Sequence, residues 1–234
     1  MGLSAYGEPE YYDKFARIIR FDKDKSGLRF DLDYFSYYFW SPRRYSDLFV
    51  DTFGPERNFN DELEKRHINL AASFQKRVED VVLEMISCFY EKTRLENLCL
   101  AGGVAMNSKM NGRILQESPF KNIWLPSSAD DGGCSLGACF YYWHQVLGNE
   151  RQFILEHDYW GPGFSNEDIK EALDNSLVSY EYLENPEKEA AQSIADNKII
   201  GWFQGKMEFG QRALGNRSIL ADPRDPDMKN KINR

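Results

Sequence analysis

Three clusters combine residue types and spacings that could do chemistry. In the first, Ala101-Gly102-Gly103-Val104-Ala105-Met106-Asn107 joins a short apolar run to a helix-compatible stretch. Glycines at such a junction let the backbone approach a ligand closely. The helix start beyond them offers unpaired N–H groups and a positive dipole end, which suits phosphate. A tight strand-to-helix turn with no ligand accounts for the same glycines, and Asn107 could equally be a solvated polar side chain. In the second cluster, Asp130-Asp131-Gly132-Gly133, adjacent carboxylates after a strand can bind a metal or orient a nucleotide-bound cation. One Asp serving as a helix cap is the simpler use.

The third cluster interleaves Lys206, Glu208, Arg212, Arg217, Ser218, Asp222 and Arg224 with Gly205, Gly210 and Gly215. Guanidinium groups give bidentate, charge-assisted bonds to phosphate or carboxylate. An ion-paired surface loop is the alternative, with Arg217 on Asp222 or Asp225, but a solvated loop has no need of three glycines. Arg212 and Arg217 stand five apart between glycines, so a loop is expected to present both. Other chemistries lack their signatures. The three histidines, His67, His144 and His157, are far apart in sequence and form no HxxxH or HExxH pair. No Gly-x-Ser-x-Gly elbow, Walker loop or dinucleotide fingerprint occurs.

The elements that must position these clusters read as α/β. Leu70, Phe74, Val78, Val81, Val82, Met85, Ile86 and Phe89 recur at helical spacing, predicting one long amphipathic helix over 67–92. Leu95–Leu100 and Asn122–Leu125 read as strands. Each ends in a Gly-bearing turn and is followed by a helix, Val104 to about Gln116 and Ser135 to Leu147. The right-handed crossover rule sets the two strands side by side, with their turns at one sheet edge. Residues 29–40 alternate partly and could hold a strand. Beyond a linker at 148–165, Ser165 or Asn166 caps a helix to Asn175. A strand at 178–183, a helix at 186–197 and a strand at Ile199–Phe203 are expected to follow. The domain boundary is placed near 150–165.

Composition narrows the classes. The 234 residues are 42% hydrophobic and 15% aromatic, enough to build a core, so wholesale disorder is excluded. The net charge is −8 with no long Lys/Arg run, which argues against a nucleic-acid partner. No stretch nears the ~20 apolar residues of a membrane span, and the first residues are not a signal peptide. Cys88, Cys99, Cys134 and Cys139 form no CxxC pair and read as reduced thiols of a cytoplasmic protein. Self-association into a homo-oligomer is left open.

Four segments carry a family resemblance: M-G-L-S-A-Y-G-E-P (1–9), L-A-G-G-V-A-M-N (100–107), P-S-S-A-D-D-G-G-C-S-L-G-A (126–138) and G-W-F-Q-G-K-M-E-F-G-Q-R-A-L-G-N-R-S-I-L-A-D-P-R (201–224). The chain resembles the O-carbamoyltransferases of the NodU/CmcH/TobZ type, which act in nodulation-factor and antibiotic biosynthesis. The resemblance implies half of an actin-like ATPase domain over 1–150 and the start of a YrdC-like domain over 151–234. It implies a two-step reaction. Carbamoyl phosphate and ATP give carbamoyl-adenylate and pyrophosphate, and the carbamoyl group then passes to a hydroxyl of a small-molecule acceptor near iron or another divalent metal. Carried over, Asp131 is the metal ligand. Gly102, Gly103, Asn107 and Gly132 contact the nucleotide, and Lys206, Arg212, Arg217 and Ser218 hold the carbamoyl-phosphate or adenylate phosphate. The family's H-H-x-x-H-A histidine ligands are absent, so the chain reads as a fragment with an incomplete metal site and no transfer activity alone. A catalytically silent nucleotide- or anion-binding module of the same fold is the competing expectation.

Overall fold

A computed structural model describes residues 1–37 and 43–233. The chain divides into two compact units, Met1–Leu125 and Pro126–Arg234. The break falls earlier in the sequence than the 150–165 segment, and residues 126–133 bond to the loop around 209–211 through Ser127 and Asp130.

The first unit is built on α3 (Lys65–Thr93), the helix expected from the apolar spacing. Glu64 and His67 cap its start reciprocally, His67 Nδ1 accepting from the Glu64 amide at 3.1 Å, so this histidine has a structural use. Val81, Val82 and Ile86 of α3 are buried, whereas Phe74 and Phe89 stay exposed. Helix α1 (Tyr12–Ile18) leads into an antiparallel hairpin, β1 (Ile19–Asp22) and β2 (Gly27–Phe30). Helix α2 (Asp47–Phe53) follows, with its Phe53 ring stacked on Phe15 at 4.6 Å. The strand expected over 29–40 is thus β2 at its start only. A short turn of helix, Leu32–Tyr34, comes next, and residues 38–40 lie outside the described ones.

Strands β3 (Asn97–Cys99) and β4 (Asn122–Trp124) are parallel neighbours, as the crossover rule requires, and α4 (Ser108–Glu117) connects them. Parallel pairing puts both strand C-termini at one edge of the sheet. The core gathers Phe15, Ile18, Ile19, Phe53, Val81, Val82, Ile86, Met110, Ile114 and Phe120. At ~25 cal/mol per Å² of apolar area removed from water, these side chains are the main stabilising contribution to this unit.

The second unit opens with a short helical turn, Asp131–Gly133, that runs into α5 (Cys134–Tyr141). The single helix expected to reach Leu147 instead widens to π-type winding at Tyr142–Val146. Helices α6 (Asn166–Asn175) and α7 (Pro186–Ala195) start on side-chain caps from Ser165 and Asn185. No strand forms at 178–183. Val178, Tyr180 and Tyr182 alternate in sequence but are exposed, and no partner strand pairs with them among the described residues. Antiparallel β5 (Ile200–Phe203) and β6 (Arg217–Leu220), then α8 (Met228–Ile232), complete the unit. No described helix is long and apolar enough to cross a membrane. All four cysteines are free thiols, with only Cys88 buried.

Candidate functional site

The first unit positions the Gly102-Gly103 cluster. Gly102 has φ +97°, a conformation that L side chains rarely adopt, and an added Cβ would meet nothing within 4 Å. The backbone here is open as well as glycine-dependent. Gly103 begins a turn of tight helix, Gly103–Met106, and Asn107 then breaks the run that the sequence presents as one helix. Its Oδ1 accepts from the Met110 amide at 3.2 Å, capping α4. The same amide pairs reciprocally with Gln75 of α3, both bonds 3.0 Å. Asn107 is therefore neither one turn into a helix nor a solvated side chain; it ties the glycine turn to the core helix.

Gln75 leads to a polar network that apolar periodicity does not mark. It donates to Glu79 at 2.8 Å, and both side chains are buried. Arg113 of α4 reaches Glu79 at 3.1 Å, Asp80 at 2.7 Å and Glu117 at 2.7 Å. Glu117 first, then Asp80 and Glu79, raise the Arg113 guanidinium further above its already high range against the effect of burial. Nearby, buried Asn69 and Ser73 accept from the Glu8 and Tyr11 amides at 3.0 and 2.9 Å. Gly7 passes so close that a Cβ would lie 2.5 Å from the Ile68 carbonyl oxygen. The M-G-L-S-A-Y-G-E-P segment is thus stitched along α3. Polar residues at helical spacing, Asn69-Ser73-Arg77 and Gln75-Glu79, were the available signal, but a search for apolar periodicity passes over them.

The second unit positions the acidic and basic clusters. Asp131 is exposed, and no described residue bonds its carboxylate. Asp130 is engaged instead: it accepts from Ser128 Oγ at 2.9 Å and from the Gln211 side-chain amide. Gly132 packs on Ser128, whose hydroxyl oxygen would lie 2.7 Å from a Cβ. Among the described residues no three His, Cys, Asp or Glu side chains converge on a point that could hold a metal ion. The residues present do not by themselves assemble a metal centre around Asp131.

Residues 205–217 form a folded-back loop around one carboxylate. Glu208, 4% exposed, accepts from the Leu214 and Asn216 amides at 2.7 and 2.9 Å and from Arg217 Nε at 2.7 Å. Burial pushes its carboxyl up. Arg217 and the two amides outweigh that and hold it at about 2. Arg217 Nη2 also donates to the carbonyls of Gly210 at 3.0 Å and Arg212 at 3.4 Å. At the base, Gly210 has φ +121°, and a Cβ there would stand 2.6 Å from the Ser127 carbonyl oxygen. The Ser127 hydroxyl donates to the Phe209 carbonyl. Segment 158–163 braces the other side through Gly161 N to Met207 O at 2.8 Å and Phe209 N to Asp158 O at 2.7 Å.

This geometry sorts the expected basic residues. Lys206 and Arg212 are exposed on the loop. Arg217 stands where the loop ends, as the first residue of β6 with Ser218 beside it, and its guanidinium points back onto Glu208. The surface pairing of Arg217 with Asp222 or Asp225 is not what forms. Asp222 holds Arg224 at 2.5 Å, and Asp225 holds Lys231 at 2.6 Å. Glu208, an acid inside a basic, glycine-rich stretch, was visible in sequence without a role attached to it. Lys206, Arg212, Arg217 and Ser218 share this unit with Asp131 and Gly132, whereas Gly102, Gly103 and Asn107 belong to the first unit.

Fold and site define an α/β protein with a basic, glycine-rich loop organised on a buried carboxylate. The family model for the carbamoyltransferase N-terminus matches residues 1–140, and that for the carbamoyltransferase C-terminus matches residues 191–234. The chain belongs to the carbamoyltransferase family. It is 41% identical over 244 residues to the uncharacterized protein sll1178 of Synechocystis sp., covering 100% of this chain and 39% of that protein. It is 37% identical over 240 residues to the uncharacterized protein MJ1058 of Methanocaldococcus jannaschii, covering 99% and 37%. To nodulation protein NolO of Bradyrhizobium diazoefficiens it is 34% identical over 237 residues, covering 100% and 41%. The chain spans about two fifths of the length of these relatives.

Proposed function

We propose that these residues belong to an ATP-dependent O-carbamoyltransferase, and that the loop 205–217 receives the phosphate of carbamoyl phosphate. The observation that carries the reading is the loop itself. A buried, fully hydrogen-bonded carboxylate fixes its shape, and Lys206 and Arg212 are exposed along it. Membership of the carbamoyltransferase family supports a carbamoyl donor and a small-molecule acceptor. In this reading water releases phosphate from carbamoyl phosphate, and the carbamate oxygen attacks the α-phosphorus of ATP with pyrophosphate leaving. An acceptor hydroxyl then takes the carbamoyl group from the resulting carbamoyl-adenylate, releasing AMP. Charge-assisted bonds from Arg212 and Lys206 orient the donor and stabilise charge developing on its phosphate. The open backbone at Gly102 and Gly103 suits close approach of the nucleotide, with Asn107 fixing that turn. Asp131 would supply one ligand to a divalent metal whose other ligands lie outside these residues. The division into an actin-like part over 1–150 and a YrdC-like part over 151–234 belongs to the same proposal, as does a cytoplasmic setting.

The test is carbamoyl-phosphate-dependent pyrophosphate release from ATP, measured in a polypeptide of the relatives' length that carries these residues. Pyrophosphate together with a carbamoylated adenylate supports the transferase. Binding of carbamoyl phosphate with no pyrophosphate formed would leave a silent anion-binding module. Residues 1–234 alone are expected to bind but not to transfer.

A further inference from the structure

Arg217 and Ser218 enter the site as expected phosphate contacts, yet the geometry gives Arg217 other work. Its Nε is taken by Glu208 at 2.7 Å, and its Nη2 is shared by the Gly210 and Arg212 carbonyls at 3.0 and 3.4 Å. Each of these bonds is to the loop's own frame. Two lie on either flank of the turn at Gly210–Arg212, and one ties β6 to Glu208. Glu208 in turn gathers the Leu214 and Asn216 amides, so one carboxylate and one guanidinium, bonded to each other, bind the loop's backbone at four points. Breaking a buried hydrogen-bonded pair by removing one partner costs far more than losing a surface pair, because the other charge is left without its partner. The loop has no regular secondary structure between β5 and β6. Other bonds there, Gln211 to Asp130, the Tyr159 hydroxyl to the Leu214 carbonyl at 3.0 Å and Asn216 Nδ2 to the Lys206 carbonyl at 2.7 Å, each fix one residue of 210–216, whereas the pair joins the two sides of the turn.

We infer that Glu208 and Arg217 are a positioning pair: together they hold residues 210–216 in the shape that presents Arg212 to carbamoyl phosphate, and Arg217 acts through Glu208 rather than as a phosphate ligand. This inference rests on the proposed function, since it presumes that carbamoyl phosphate is what the loop receives. The pair is distinct from the exposed charges in what it should do when cut. A direct ligand contributes independently of Glu208. A positioning residue does not.

The experiment is a double-mutant cycle on carbamoyl-phosphate affinity, read by calorimetry on wild type, Glu208→Gln, Arg217→Gln and the double variant, with amide exchange at Leu214 and Asn216 followed in parallel. Each single change should weaken binding about tenfold and accelerate exchange at both amides, and the double variant should be no worse than either single one. Multiplying losses, about a hundredfold in the double variant, would make Arg217 an independent phosphate ligand and overturn the inference. So would unchanged affinity in Glu208→Gln with only its thermal stability lowered, since that is a purely structural role. If Glu208→Gln does not fold, Glu208→Asp takes its place, the shorter side chain being unable to reach both amides and Arg217 at once. A comparable loss supports the pair, and an unchanged affinity overturns it. A wild type that binds no carbamoyl phosphate defeats the proposed function and this inference with it. A wild type that binds while the variants match it defeats the inference alone.

Discussion

Replacing Asn107 with alanine tests the reading of the glycine turn most sharply in the first unit. The substitution removes two things at once. The cap on the Met110 amide goes, at about 0.5–2 kcal/mol for an Asn-to-Ala change at such a position. The buried Gln75 amide also loses its reciprocal partner, at about 1–3 kcal/mol for a polar group left unsatisfied. The two losses share one side chain but fall on different groups, so the sum should be about 1.5–5 kcal/mol. For a chain of 234 residues, with ~2–4 °C lost per kcal/mol, the melting temperature should drop by about 3–20 °C. Thermal and urea unfolding followed by far-ultraviolet circular dichroism measure this. Asn107→Ser is the informative companion: serine caps a helix as well as asparagine but is too short to reach Gln75. It should recover only the capping part. A change within about 0.5 kcal/mol of wild type in Asn107→Ala would refute the argument, and full recovery by serine would show that the Gln75 pair contributes nothing.

Other outcomes follow from the same geometry. Gly210→Ala should destabilise the second unit by about 1–3 kcal/mol, since φ +121° is strained for alanine and its Cβ would crowd the Ser127 carbonyl; urea titration reads this directly. Ile114→Ala, at 0% exposure in the first core, should cost about 2–5 kcal/mol in the same assay. The Glu208 carboxyl, held at about 2 against an ordinary 4.5, contributes stability that is fully present above pH 4.5 and lost as pH falls towards 2. A carbon-13 titration of that carboxyl should show its midpoint near 2, and a midpoint near 4.5 would mean the carboxylate is not paired.

The sequence disclosed the elements whose signal is local. The apolar spacing from Leu70 to Phe89 defines α3, and the two apolar runs closed by glycine turns define β3 and β4 with the correct parallel pairing. What escaped depends on partners remote in sequence. The run at 178–183 has a strand's alternation but pairs with no strand among the described residues, and Tyr180 and Tyr182 remain exposed. The stretch from Val104 reads as one helix until Gln75, 32 residues earlier, claims the Asn107 amide. The same holds at the site. Glycine and arginine marked residues 205–217, but charge and spacing alone cannot tell an arginine that meets a ligand from one that meets a buried glutamate. Only the fold brings Arg217 onto Glu208, nine residues away.

A nitrogen-15 titration of residues 1–234 with carbamoyl phosphate, in moderate salt, tests most directly whether residues 205–217 are the binding loop proposed above. Saturable shifts confined to the amides of 205–217 and the side-chain Nε of Arg212, greatly weakened in Arg212→Ala, are expected. Shifts scattered over lysines and arginines across both units and suppressed by salt, or no shifts in the loop at all, would contradict that proposal.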